Sequence, residues 1–569
     1  MGFATTRTEE RVLAATGNLL ETSSIFESHE SVSHGGILTI IPAMISQGLL
    51  SAKDIYTSWK KGYYSLTHIL LTLSFIYLLR LKNPEKLKNS CVGELGRIIG
   101  LDRIPEVKCL RKKILNIVQQ GRAALWQDLL TTEWITNNGC LYFYIDGHVR
   151  VYHGKKAHLP KKYLARLKLC LAGTTEYWIN DEKGLPLMCV IGELNERLKQ
   201  AIEEVIPVLI EQTRSLINED EFNKNPLMPR FTLIFDREAY EPEFFHHLWE
   251  TYRVAVITYR KNVKDKWDEK DFNNISCQLF NNNVSMLICE KKVTLSCYQF
   301  REIRKLSDSG HQTSVITTNY MIKTEETAVR MFSRWTQENF FKYMIADFDF
   351  DKIIEYGSEK IAKNIQIVNP EYSRLSQQIK KEREKKRRIE AKLYESISNT
   401  IDEEIDKTNS VIQKQAGLQE KIDLFDEEII SLLAQRNQVP SKIKLSDMPE
   451  TQRYNKLKKE SKLFINIIKM IVYRAETALV NLIVPYYKNV EKDGRMLIKG
   501  LLQTDADILP DYVNNTLTIK IHSLANTRAN KAVDSLCALL NETETNFPDT
   551  NLKMIFKTTF AEIVNEASD

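Results

Sequence analysis

LYFYIDGH, residues 141–148, is an aromatic and β-branched run that breaks off at Asp146, with Gly147 immediately after it. Such a run reads as a buried strand. A carboxylate at its end is costly to bury unless a cation or strong donors face it. Downstream, LKLCLAGTTEYWIN and GLPLMCVIG are expected as the next two strands, turning at NDEKG, with a helix after them over about 194–216. MPRFTLIFDREAY then supplies a further strand, 231–235, which again runs out in a carboxylate, Asp236. A helix over 241–252 and a strand at 254–259 (VAVITY) complete a β-β-β-α-β-α-β order. In a sheet of this order the first and fourth strands lie side by side, so Asp146 and Asp236 become neighbours. Two close carboxylates repel unless a divalent metal lies between them.

A third acid comes from further along. Residues 262–318 hold short β-rich runs that read as a small inserted sheet, and TEETAVRMFSRWTQENFFKYMIADF after them reads as a helix. Arg334, Glu338 and Lys342 are spaced by four and share one helical face, while Val329, Phe332, Trp335 and Phe340 are expected to pack on the sheet. Three carboxylates with an Arg and a Lys nearby suit phosphodiester chemistry. Two hard cations, Mg²⁺ or Mn²⁺, roughly 3.5–4 Å apart activate a water or a 3′-hydroxyl and stabilise the leaving oxygen. A plainer reading stands beside it: an Asp at a strand end caps turns, and Arg334, Glu338 and Lys342 form a surface ladder. Asp347, Asp349, Asp351 and Glu355 are further acids nearby, in a run that reads as a helix end and turn. His148 is a candidate metal or phosphate contact as well as a structural histidine. Tyr152 to Lys156 form a basic, aromatic stretch in which Lys155 and Lys156 are candidates for DNA backbone contact.

Beyond this core the chain divides into zones. A length of 569 residues calls for several domains, and 43% hydrophobic with 27% charged residues is the balance of an ordinary folded protein. The formal charge of +5 permits nucleic acid as a partner without demanding it. Nine scattered cysteines without a C-x-x-C pair read as reduced thiols, and MGFATTRTEE lacks the apolar segment of a signal peptide, so a cytoplasmic location is expected. The apolar run 69–79 is too short for a bilayer and reads as a buried helix. Residues 1–135 are expected to be helical. Within them, 93–118 read as a helix-turn-helix-like pair, with Asp102 capping the second helix and Lys108, Arg111 and Lys112 (with Lys113) placing positive charge along it for a major groove. Residues 371–490 read as long helices or a coiled coil: Ile389, Leu393, Ile397, Ile401 and Ile405 recur every fourth residue, behind a dense basic run, QQIKKEREKKRRIEAK. Residues 491–569 form a last α/β or helical zone.

YFYIDGHVRVYHGKK, FTLIFDREAYEPEFF and MFSRWTQENFFKYM resemble the three catalytic blocks of bacterial insertion-sequence DDE transposases, in particular those with a β-strand insertion before the Glu. SHGGILTIIPAMISQGLL, GLDRIPEVKCLRKKI, LTIKIHSLAN and LNETETNFPDTNL extend the resemblance over most of the chain. It implies an α/β multidomain protein with an RNase H-like core at 136–260 and 319–370, a β-rich insertion at 261–318, and Asp146, Asp236 and Glu338 as the catalytic, metal-binding triad with two Mg²⁺ or Mn²⁺ ions. It also implies double-stranded DNA as partner, both element ends and target, bound by a homodimer or larger assembly in a bacterial cytoplasm, and no membrane. A metal-dependent nuclease without a joining step, and an inactive DNA-binding or coiled-coil protein, are the competing readings. In the related Y-x2-R-x3-E-x6-K pattern Arg334 and Glu338 are in register, whereas the Tyr position holds Met331 and the Lys position Ile345. Lys342, one turn after Glu338, is the available substitute.

Overall fold

The computed structural model describes residues 6–60, 62–89, 92–154, 157–159, 161–164, 168–192, 197–279, 282–350, 358–360, 366–399, 408–450, 453–486 and 493–560. The run at Leu141 becomes β1 (Tyr142–Val151), followed by β2 (Leu169–Asn180), β3 (Pro186–Ile191), β4 (Thr232–Phe235) and β5 (Ala255–Tyr259). β1 lies between β2, antiparallel, and β4, parallel, while β3 pairs with β2 and β5 with β4. The first and fourth strands are thus adjacent, as their order in the chain requires. The apolar β4, buried at every position, suits a strand covered on both faces.

The β-rich segment does not form a separate small sheet. Its strands β6 (Asn273–Leu279), β7 (Asn282–Leu295), β8 (Tyr298–Leu306) and β9 (Gln312–Thr317) continue the same sheet, because β9 pairs antiparallel with β5, Ile316 facing Thr258. With a short strand at Lys161–Leu164 beside β2, the described sheet reaches ten strands. The β7–β8 hairpin turns on Ser296 and Cys297, both with positive φ, as a two-residue turn that matches strand twist demands.

Helices cover this sheet. α1 (Leu66–Leu78) is buried along its whole length, its first turn capped by the Ser65 hydroxyl accepting from the backbone N–H of His68. α2 (Val107–Val118), α3 (Ala123–Asn138), α4 (Leu198–Gln212) and α5 (Pro242–Tyr252) follow in order. The helix expected after residue 323 is two: α6 (Thr324–Phe332) and α7 (Trp335–Phe348), broken at Ser333 and Arg334. Val329 and Phe332 pack against Met286, Ile288 and Ile303 of the added strands, and Phe340 meets Trp178 of β2; the side chain of Trp335 lies outside the described residues. Among the described residues no single helix is long and apolar enough to cross a membrane; one bent pair, 35–46 with 49–55, reaches that length only jointly.

Two compact units result. The larger holds 1–154, 161–357 and 457–569. In it a strand from near the N-terminus, His29–Val32, pairs with Ala506–Asp511 in a four-stranded sheet with Thr516–Ile521 and Lys553–Thr558. The smaller holds 155–160 and 358–456 and is built on two long helices packed along each other, α8 (Pro370–Asn399) and α9 (Thr408–Gln438). The antiparallel pairing of Gln366–Val368 with Lys442–Lys444 closes the open end of that hairpin. Leu375, Ile379, Ile422 and Ile429 are buried, whereas of the expected stripe Ile389 and Leu393 are half-buried, Ile397 is exposed, and Ile401 and Ile405 lie outside the described residues. α10 (Glu460–Leu482) does not prolong the hairpin. It belongs to the larger unit, packed on α1, α3 and β3.

Candidate active site

The register of two strands brings the first two acids together. β1 and β4 pair from Tyr142 with Thr232 to Ile145 with Phe235, so the next residues on the two strands are Asp146 and Asp236. The parallel ladder ends there. β4 leaves the sheet, and the Asp236 carboxylate accepts from the Arg237 N–H at 2.6 Å, capping the turn Arg237–Ala239. β1, expected to stop at Asp146, runs on to Val151 because β2 supplies its other edge as far as Gly173. Gly147 fits that continuation: a Cβ there would stand 3.1 Å from the Tyr177 ring.

The third acid is carried in by a helix laid along β1. Tyr144, Asp146, His148 and Arg150 alternate onto one face of the strand, and the helical segment passes them in order. The Tyr144 hydroxyl donates to the Arg330 carbonyl at 3.0 Å, Arg334 meets Asp146, Phe341 stacks on His148 at 5.3 Å, and Phe350 lies 4.5 Å from the Arg150 guanidinium. Gln337, fully buried, fixes α7 to the sheet: its amide nitrogen donates to the carbonyls of Tyr144 (3.1 Å) and Trp178 (3.0 Å) and to Asn180 Oδ1 (3.1 Å). Glu338 is the next residue.

One guanidinium stands among all three carboxylates. Arg334 Nη1 is 3.3 Å from Asp146 Oδ2, and Nη2 is 3.3 Å from Glu338 Oε1 and 4.0 Å from Asp236 Oδ2. The Arg334 side chain is 13% exposed, against 27% for Asp146, 46% for Asp236 and 49% for Glu338. A cation in the protein and open acids around it make a site that faces solvent on its carboxylate side. Burial pushes the Asp146 carboxyl up to about 6; Arg334 and the Gly147 N–H pull it down, and the charges of Asp236 and Glu238 add to the rise. As placed, no group of three or more His, Cys, Asp or Glu side chains among the described residues is set to hold a metal ion. The three acids converge on the guanidinium instead. Their chemistry nevertheless fits Mg²⁺ or Mn²⁺, since they are hard oxygen donors from three separate elements that already share one cation.

The other candidates distribute unevenly. Lys342 is exposed on the Arg334–Glu338 face of α7. His148 is half-buried between Phe341 and Phe350. Lys155 and Lys156 lie outside the described residues, as do Asp351 and Glu355. Asp347 pairs with Arg80 and Lys499, away from the triad, and Asp349 caps the end of α7 in the left-handed region. On α2, Lys108 and Lys112 are exposed, Arg111 pairs with Glu85, and Lys113 donates to the carbonyls of Lys60 and Tyr64. Asp102 does not cap α2. It accepts from Arg11 and from the Tyr63 hydroxyl at 2.9 Å, and eight residues, 99–106, separate α2 from the preceding helix Val92–Ile98.

Two site residues escaped the sequence reading. Gln337 is one, although its place in the buried series Gln337, Phe340, Met344, Phe348 marks a polar group on an apolar face. Tyr259, at the end of β5 next to the register line of the two aspartates, is the other. Burial raises its phenol, and the charges of Arg334, Asp236 and Glu338 all act on it.

A family model described as "Transposase protein" matches residues 2–559, nearly the whole chain. No curated protein matches it.

Proposed function

The chain belongs to this family of transposase proteins, and from that premise we propose that it is a DDE-type transposase with an RNase H-like core, which binds the ends of a mobile element and cuts and rejoins DNA through Asp146, Asp236 and Glu338. The observation that carries the reading is the convergence of three acids, from β1, from the end of β4 and from α7, on the single cation Arg334. The strand order β3-β2-β1-β4-β5, with β1 parallel to β4, supports the core assignment.

Asp146, Asp236 and Glu338 would hold the divalent ions, which when bound supply an activated water or 3′-hydroxyl and charge stabilisation at the leaving oxygen. The chain's own residues do the positioning. Asp146, within β1, and Asp236, just past the end of β4, are set by backbone register, and Gln337 holds α7 so that Glu338 joins them around Arg334. Arg334 offsets the mutual repulsion of the acids and, swung outward, is long enough to meet a phosphate as a two-pronged donor. Lys342 adds positive charge one turn along. Lys108 and Lys112 on α2 are exposed bases placed to contact element-end DNA.

Purified protein, Mg²⁺ or Mn²⁺ and a duplex carrying the element's end should yield strand cuts at the end. A pre-cut end with a free 3′-hydroxyl should yield joined products. Cutting without joining would leave a nuclease, and intact strands throughout would overturn the proposal.

A further inference from the structure

α8 carries a charge pattern that the catalytic site does not use. Between Lys380 and Lys392 it holds eight basic and three acidic residues. Its inward side is settled: Leu375, Ile379 and Glu382 are buried, and Lys386 reaches across the hairpin to Asp426 at 2.6 Å. Lys385 is held by Glu382. The remaining bases, Lys380, Lys381, Arg383, Arg387, Arg388 and Lys392, are all exposed, and among the described residues no ion pair draws on them. At about 100° per residue they fall within roughly half the circumference of the helix, the half turned from the buried stripe.

Both helices mix the signs, but unevenly: on α8 the bases outnumber the acids nine to five. α9 carries five acids and three bases, yet of its acids Asp426 is the one within ion-pair distance of α8 among the described residues. Exposed Glu384 stands among the six outward bases, which outnumber it and leave that face with a net positive charge. Lys380 to Lys392 span about 18 Å, and a DNA duplex presents one negative charge per about 1.7 Å of its axis. A membrane surface fits poorly, because an interfacial helix needs a free apolar face and the buried stripe of α8 is already covered.

We infer that the outward face of α8 is a docking surface for the phosphate backbone of double-stranded DNA, gripping it without reading sequence. This rests on the proposed transposase function for its choice of partner.

Fluorescence anisotropy of the full-length protein with a labelled 30-base-pair duplex, in one version carrying the element's end and in another random, tests it across 50–200 mM salt. The combined variant Lys380→Gln, Arg383→Gln, Arg387→Gln, Arg388→Gln should flatten the slope of log affinity against log salt by about 3–4, since each phosphate contact contributes about 0.9. The loss should be equal for both duplexes. Replacing the three arginines by Lys should keep the slope, which separates lost charge from lost folding. An unchanged slope in a variant with wild-type melting behaviour overturns the inference, as does a loss confined to one sequence. A loss seen only with duplex RNA or with phosphatidylserine vesicles overturns it too. Wild-type protein that binds neither duplex sinks the transposase reading itself, whereas normal wild-type binding with an indifferent variant sinks the docking surface alone.

Discussion

At Asp146 the fold holds a carboxylate at a disadvantage. Its ordinary value of 3.8 rises to about 6 because burial outweighs the pull of Arg334. The sign follows from proton binding: the native state takes up the proton more readily than the unfolded chain, so stability is full below about pH 4 and declines as pH rises toward 6. The interval corresponds to about 3 kcal/mol at neutral pH. In EDTA, Asp146→Asn should therefore melt several degrees above wild type at pH 7.5 and at the same temperature near pH 4; a variant that is destabilised at neutral pH would contradict this. Arg334 carries a second consequence. A guanidinium and a divalent cation compete for the same oxygens, so Arg334→Gln should bind Mn²⁺ about tenfold more tightly while cutting DNA more slowly. Weaker Mn²⁺ binding in that variant would mean that Arg334 supports the ions rather than competing with them.

Among the elements, α7 decides whether the third acid belongs to the site. Its grip on β1 and β2 is Gln337, one buried amide shared among two backbone carbonyls and Asn180. Gln337→Leu keeps the volume but removes the donor that these three acceptors share, a cost of about 1–3 kcal/mol. Hydrogen exchange over 335–348 should speed up and cleavage should fall at least tenfold with DNA affinity kept; unchanged exchange would show that packing of Phe340 and Met344 alone holds the helix. Much of this element-level layout was legible beforehand. Apolar runs ending in Asp146 and Asp236 gave strand order, and four-residue spacing put Arg334 and Glu338 on one face. The break at Ser333 was not legible, because Val329, Phe332 and Trp335 keep a helical spacing across it. Nor was the extension of β1 past Asp146, which depends on β2 supplying a partner far along the strand. The bases of α2 looked alike in sequence, and only tertiary packing separates exposed Lys108 and Lys112 from engaged Arg111 and Lys113.

For the whole molecule, the site is braced from late in the chain. Behind the acids, Glu176 of β2 meets Arg150 of β1 at 2.6 Å and Lys462 of α10 at 2.6 Å, all three buried. Glu176 holds its charge against burial because those two cations pull it below the usual carboxylate range. Glu176→Gln leaves two buried cations facing each other and should cost about 3–5 kcal/mol. Lys462→Met keeps the Arg150–Glu176 pair and should cost less, an order that thermal unfolding of the two variants checks; the reverse order would make Lys462 the keystone. Sequence alone could not reveal this brace, nor that the β-rich insertion extends the main sheet, since both rest on pairings between distant segments with no local pattern. Whether Asp146, Asp236 and Glu338 share divalent ions is the decisive question. Titration of the full-length protein with Mn²⁺ at pH 7.5, followed by electron paramagnetic resonance, measures that without any DNA step. Asp146→Asn, Asp236→Asn and Glu338→Gln should each weaken binding by at least tenfold, and equal binding in wild type and all three variants would contradict the assignment.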